Sequence, residues 1–213
     1  VVAENKCFQI GLESQLKYSC KIETDFILHT FEREEKKIHY PHVNYDIMPN
    51  KFGLIYGLLE KYDRILFIDA DVYIKKDSPD IFKTLTDDCI YMRNEATHYD
   101  DKNNYDKQIE KIRGPEWGKT NGHYDVYNAG VILIGKNQRE AFNFNEREYV
   151  RWDEYPYISD NPYICWNIFN KKIPVKDCGI EWNAMQYFKQ DGYFLHFANC
   201  NNRNSDIMEV LGL

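Results

Sequence analysis

Tyr62–Ile74 reads YDRILFIDADVYI, and the fold turns on how this stretch is understood. An apolar run, Ile65–Ile68, stops abruptly at Asp69-Ala70-Asp71, and a second apolar pair follows. Consecutive branched and aromatic residues predict a strand buried on both faces, of the type found inside a parallel sheet. In open α/β sheets, ligands bind beyond the carboxyl ends of the strands, which is where this one delivers two carboxylates. Side chains alternate along a regular strand, so the chain must turn here if both are to reach one ligand. Ala70 is small enough for a phosphate or ribose to come close. Such a pair suits a hard divalent cation with open positions for phosphate oxygens. The alternative reading is that both aspartates cap the segment that follows.

Outward from this stretch, the first third of the chain alternates. Val1–Ala3 reads as the end of a strand. Asn5–Tyr18 reads as a helix capped by Asn5, with Phe8, Leu12 and Leu16 on one face. Asp25–Phe31 (DFILHTF) reads as a second strand and Glu32–Lys37 as a solvated charge run. Asn50–Tyr62 returns to helical spacing through Phe52, Ile55, Leu58 and Leu59. The resulting β-α-β-α-β order predicts an α/β domain with a Rossmann-like, mostly parallel central sheet flanked by helices. Tyr127–Ile134 (YNAGVILI) is the next clear strand, and Gly130 within it marks a point of close approach. The polar stretch between, about 91–125, carries three glycines and reads as a mobile lid. Glu146–Trp152 and Asp160–Asn170 read as helices, Pro162 lying in the first turn of the latter. Tyr193–Ala198 is the last strand, ahead of an Asn-rich tail, Asn199–Asn204. No linker or repeat interrupts the chain, which predicts a single domain over 1–213.

Composition narrows the partners. With 34 acidic against 27 basic residues the net charge is −7, which argues against a nucleic-acid or anionic-membrane surface. The 17 Tyr, 12 Phe and 4 Trp suit either a core or sugar-stacking faces. Six cysteines show no zinc-type spacing, and most sit in apolar runs, as reduced core thiols do. No apolar run is long enough to span a membrane. These features predict a reducing, cytosolic setting. The chain opens without Met, already reading as strand, which suggests a domain trimmed from a longer protein.

Three features can converge at the strand ends: the Asp pair, Asn128 and His196. His196 lies among apolar neighbours in the last strand, where a core role is the alternative to a ligand role. Two carboxylates plus an imidazole favour Mn²⁺, with Mg²⁺ as the second choice.

Together these residues resemble GT-A fold glycosyltransferases of the retaining, glycogenin-like and plant galactosyl- and xylosyltransferase type. The resemblance extends to the glycosyltransferase domain encoded by chlorella viruses. KYDRILFI ahead of Asp69-x-Asp71, then YNAGVILI, then SDNPYICWNIFN with IEWN, and finally HFAN follow the family's order of motifs. It implies a single GT-A domain, nucleotide-binding over about 1–90 and acceptor-side over about 91–213. It further implies a UDP-hexose donor, UDP-glucose first, a carbohydrate acceptor and retention of configuration. Asp69, Asp71 and His196 would hold the metal. Ala3, Lys51, Asp69, Ala70, Asn128, Ala129 and Asn199 would line the donor. Asp160 would stand near the anomeric carbon with Asn161 in place of the family's Gln, the alternative role of Asp160 being a helix N-cap. Two departures stand out: Asn199 replaces a Gly, with no Lys-Pro-Trp after it, and Cys7 takes the place of a Tyr that packs on uracil. Asn199, Asn202 or Arg203 would then have to contact the diphosphate. The rival readings are a haloacid dehalogenase-type phosphatase using Asp-x-Asp, a nucleotidyltransferase, and a non-catalytic sugar-binding module. Tyr73 stands where the phosphatase motif has Thr or Val, and the nucleotidyltransferase's Gly-rich loop is missing.

Overall fold

The computed structural model describes residues 5–30, 47–98, 106, 109–110, 116–143, 160–185, 192–198 and 203–212. Nine strands and five helices are seen among them: α1 Lys6–Lys21, α2 Ile47–Leu58, β1 Arg64–Ile68, β2 Val72–Ile74, α3 Ile81–Thr84, β3 Ile90–Asn94, β4 Lys119–Thr120, β5 His123–Tyr124, β6 Tyr127–Gly135, α4 Asp160–Asn170, β7 Val175–Asp177, β8 Ala184–Met185, β9 Phe194–His196 and α5 Arg203–Leu211. Short 3₁₀ turns at Glu95–His98, Lys136–Phe142 and Ile180–Trp182 join some of them.

The α/β class is the one expected. The larger sheet runs β1-β6-β3-β7. β6 pairs antiparallel with both β1 and β3, while β3 and β7 pair parallel. Three of the four strands therefore point one way with a reversed strand between them, so the described sheet is mixed rather than mostly parallel. β6 is buried along its whole length, whereas β1 is half-buried throughout. β1 has a described partner on one side only. β6 alternates as a two-sided strand must. Ile132 and Ile134 face α2 and α4 through Phe52, Ile55, Tyr163, Ile164 and Ile168. Val131 and Leu133 pack opposite, with Tyr18, Val72, Tyr91 and Phe194.

A second, smaller sheet runs β2-β9-β8. Its strand β2 is the direct continuation of β1, so Asp69-Ala70-Asp71 is the crossing from one sheet to the other.

Local chemistry explains the helices. The Asn5 side chain accepts from the Cys7 N–H at 3.0 Å, which starts α1. Its buried face is Cys7, Gly11, Ser14, Gln15 and Tyr18, whereas Leu16 stays 46% exposed. The apolar face expected from Phe8, Leu12 and Leu16 is thus not the one that docks. The docked side brings Cys7 and Tyr18 into the core and also satisfies backbone groups at the sheet crossing: Ser14 Oγ accepts from Ile74 N at 2.9 Å, and Gln15 Nε2 donates to two carbonyls there. α2 begins three residues earlier than Asn50 and ends at Leu58, and α4 spans the expected residues.

Other expectations fare differently. Asp25–Thr30 forms no strand; Phe26, Ile27 and Leu28 are exposed, so apolarity without a pairing edge did not make one. The stretch expected to be a lid from residue 91 begins inside the core, as β3, buried at all five positions. Its later part holds the β4–β5 hairpin, tied to Asp106 through His123 Nδ1 at 2.7 Å and Tyr124 N at 2.9 Å. The tail after Asn202 is helical, as α5. The strand at Val1–Ala3, the run Glu32–Lys37 and the helix Glu146–Trp152 lie outside the described residues. Cys7, Cys89, Cys165 and Cys178 are buried free thiols and Cys20 is an exposed one. Among the described residues, no helix is long and apolar enough to cross a membrane.

Candidate active site

The crossing between the sheets is pinned at both ends. Asp69 N donates to Gly130 O on β6 at 2.8 Å, and Phe197 N donates to Asp71 O at 3.0 Å. Between them Val72 N closes a turn onto Asp69 O at 3.1 Å, and Gln15 Nε2 holds the Asp69 and Val72 carbonyls at 2.9 and 2.8 Å. The turn is what lets both carboxylates face one point.

His196 faces the same point from β9. It pairs with Val72 across the small sheet and is 3% exposed. Ligand atoms of Asp69, Asp71 and His196 all lie within 4.8 Å of one another. The imidazole Nε2 is 3.4 Å from Asp71 Oδ1, and Nδ1 is 2.9 Å from Asn183 Oδ1. The close approach expected at Gly130 is real: a Cβ there would lie 2.1 Å from His196 Cε1, so the ring occupies space that only glycine leaves open.

Lys51 enters from α2, 3% exposed. An ammonium has three N–H donors. They go to Asp69 Oδ1 (3.1 Å), Asp160 Oδ2 (2.8 Å) and Ala129 O (2.7 Å). Burial alone would lower the Lys51 pKa, but Asp160 and then Asp69 outweigh it and hold the ammonium above its ordinary range. Asp160 opens α4. Burial works against its charge, yet Lys51 and the first backbone N–H groups of the helix keep its carboxyl below the usual range. Asp69 goes the other way: burial pushes its carboxyl up, the charges of Asp160 and Asp71 add to this, and Lys51 only partly offsets them.

Asn161 Oδ1 accepts from Ala129 N at 2.9 Å, fastening α4 to β6. Asn128 accepts on Oδ1 from Gly130 N (2.9 Å) and Asn183 Nδ2 (2.9 Å), and gives Nδ2 to Glu95 Oε1 (2.7 Å). The structure thus gathers Lys51, Asp69, Ala70, Asp71, Asn128, Ala129, Asp160, Asn161 and His196 around the ends of β1, β6 and β9. Ala3 and Asn199 lie outside the described residues. Gln15, Glu95 and Arg93 were not singled out in the sequence, and Asn183 entered only as the last residue of IEWN, without a role.

The sequence profile of glycosyl transferase family 8 matches residues 6–204. The chain belongs to glycosyl transferase family 8. It is a glycosyltransferase, which removes the phosphatase, the nucleotidyltransferase and the non-catalytic module from consideration. Among solved structures, it is similar to a glycosyltransferase involved in the glycosylation of the major capsid of PBCV-1. That pair shares 18% identity over 98% of this chain and 94% of the other, with a TM-score of 0.57, a likeness of fold. It is also similar to the galactosyltransferase LgtC, at 15% identity over 83% and 70% of the two chains and a TM-score of 0.45. A third is mouse xyloside xylosyltransferase 1, at 17% identity over 71% and 64% and a TM-score of 0.42. No curated protein matches the chain.

Proposed function

We propose that this enzyme transfers a hexose from a UDP-sugar to a carbohydrate acceptor with retention, using a divalent cation held by Asp69, Asp71 and His196. The observation that carries the reading is the convergence of those three groups with Lys51 and Asp160. Three carboxylates there meet one ammonium, and burial works against the charge of Asp69. A further positive charge fits that deficit. One imidazole among carboxylates suits Mn²⁺ ahead of Mg²⁺. When bound, the cation supplies Lewis-acid stabilisation of the departing diphosphate.

The residues of the chain divide the remaining work. Asp160, kept ionised by Lys51, supplies negative charge for an oxocarbenium-like transition state. Lys51 binds Asp160 to the metal side of the site, so that the two charges keep a fixed relation. Ala70, Asn128 and Ala129 form the donor side, to which the sequence resemblance alone adds Ala3 and Asn199, and Asn161 holds Ala129 in place. UDP-glucose is the first donor to test.

Titration calorimetry of UDP with and without Mn²⁺ tests the reading. Wild-type protein is expected to bind UDP in a Mn²⁺-dependent way, and Asp71→Ala to lose that dependence while staying folded. Equal UDP affinity in the two proteins, metal present, would remove the bridge between Asp71 and the donor.

A further inference from the structure

We propose that Asn183 is a positioning residue for His196: a one-way chain of amides, anchored at Glu95 and Gly130, holds the imidazole with its proton on Nδ1 and its Nε2 lone pair toward Asp71. The inference rests on the reading of Asp69, Asp71 and His196 as cation ligands.

The chain has no freedom at its start. The backbone N–H of Gly130 can only donate, so the Asn128 atom 2.9 Å from it is the oxygen. A carboxylate accepts, so the Asn128 atom 2.7 Å from Glu95 Oε1 is the nitrogen. These two anchors fix the Asn128 amide in one orientation. Asn183 must then present its NH₂ to Asn128 Oδ1, at 2.9 Å. That leaves Asn183 Oδ1 facing His196 Nδ1 at 2.9 Å, and an oxygen acceptor there calls for Nδ1–H. Turning either amide round would set like groups against each other in a buried place, where that mismatch is costly.

Asn183 itself is held still. It is fully buried, its carbonyl accepts from Arg93 Nη1 at 3.0 Å, and its N–H reaches Ile180 O at 3.3 Å. Gly130 leaves open the space that the imidazole fills, since a Cβ there would lie 2.1 Å from His196 Cε1. Nε2 is thereby placed 3.4 Å from Asp71 Oδ1, two electron-pair donors whose closeness suits a shared cation.

Nitrogen-15 spectroscopy of the metal-free protein, with the His196 signals assigned by their loss in His196→Ala, reads the proton on the ring directly. Wild-type protein is expected to show Nδ1 protonated. Asn183→Leu, of similar volume but without either arm, is expected to lose that bias and to bind Mn²⁺ roughly 10–100-fold more weakly, read by the free-ion electron paramagnetic resonance signal. Asn183→Asp, which keeps the acceptor, is expected to retain the Nδ1 proton. An unprotonated Nδ1 in wild-type protein overturns the proposal and needs no variant to fold. Unchanged Mn²⁺ affinity in Asn183→Leu, with affinity lost in His196→Ala, overturns the positioning role while leaving the metal reading standing. Wild-type Mn²⁺ affinity in both His196→Ala and Asp71→Ala overturns the two together.

Discussion

Lys51 carries more of the site than its place on a helix suggests. It is the sole described cation donating hydrogen bonds to both Asp69 and Asp160, and its charge favours the ionised form of each. Lys51→Met should cost about 3 kcal/mol in metal-free stability, the low end for breaking a buried ion pair, because both carboxylates remain partly exposed. Denaturant unfolding measures it. The pH dependence has a definite sign. A carboxyl held below its ordinary range stabilises the fold fully above that range, and the contribution is lost as pH falls through the folded-state value. Asp160 is such a group. Asp69, raised by burial, contributes oppositely, and its ionisation weakens the fold as pH rises. Without Lys51 both carboxyls would resist ionising further. The gap between wild type and Lys51→Met should therefore be widest above about pH 5 and narrow on acidification. A gap that stays constant from neutrality to about pH 3 would show that the ammonium is not what supports Asp160.

At the scale of the element, α1 is the instructive case. Its existence was legible from spacing and from Asn5, but its docked face was not. Apolar periodicity points to Phe8, Leu12 and Leu16, whereas the docked face brings Cys7 and Tyr18 into the core and also gives backbone groups at the sheet crossing their partners. Gly11 shows how close the fit is, since a Cβ there would lie 2.3 Å from Ala70 O. Gly11→Ala should cost roughly 1–3 kcal/mol as overpacking. It should also weaken Mn²⁺ binding by displacing the turn that carries both aspartates. Loss of stability with metal affinity per folded molecule intact would mean that the turn keeps its shape without α1. The same contrast runs through the site. Asp69, Asp71 and His196 could be found because each interrupts an apolar run, which leaves a mark in one dimension. Glu95 and Asn183 are polar residues in short 3₁₀ and connecting segments, and their meaning arises only when Asn128 joins them across β3, β6 and β8.

For the molecule as a whole, the α/β class followed from alternating patterns, and strand direction did not. A strand buried on both faces reads the same whichever way it runs, so the reversal of β6 left no trace in YNAGVILI. The small sheet was hidden for a different reason: β2, β8 and β9 have only two or three residues each, too few to show a period. What that sheet contributes follows from where its strands end. Asp69 hangs from the large sheet through Gly130, while Asp71 and His196 belong to the small one. An ion gripped by all three is a rivet between two plates, and its grip is loosened by anything that lets the plates slide. Amide exchange in β2 and β9 should then slow together with that in β1 when Mn²⁺ and UDP are added, although no ligand touches most of those amides. Slowing confined to β1 would mean that the plates were already locked. Occupancy of the site, in that arrangement, can be read from the stiffness of the seam several residues away from any ligating atom.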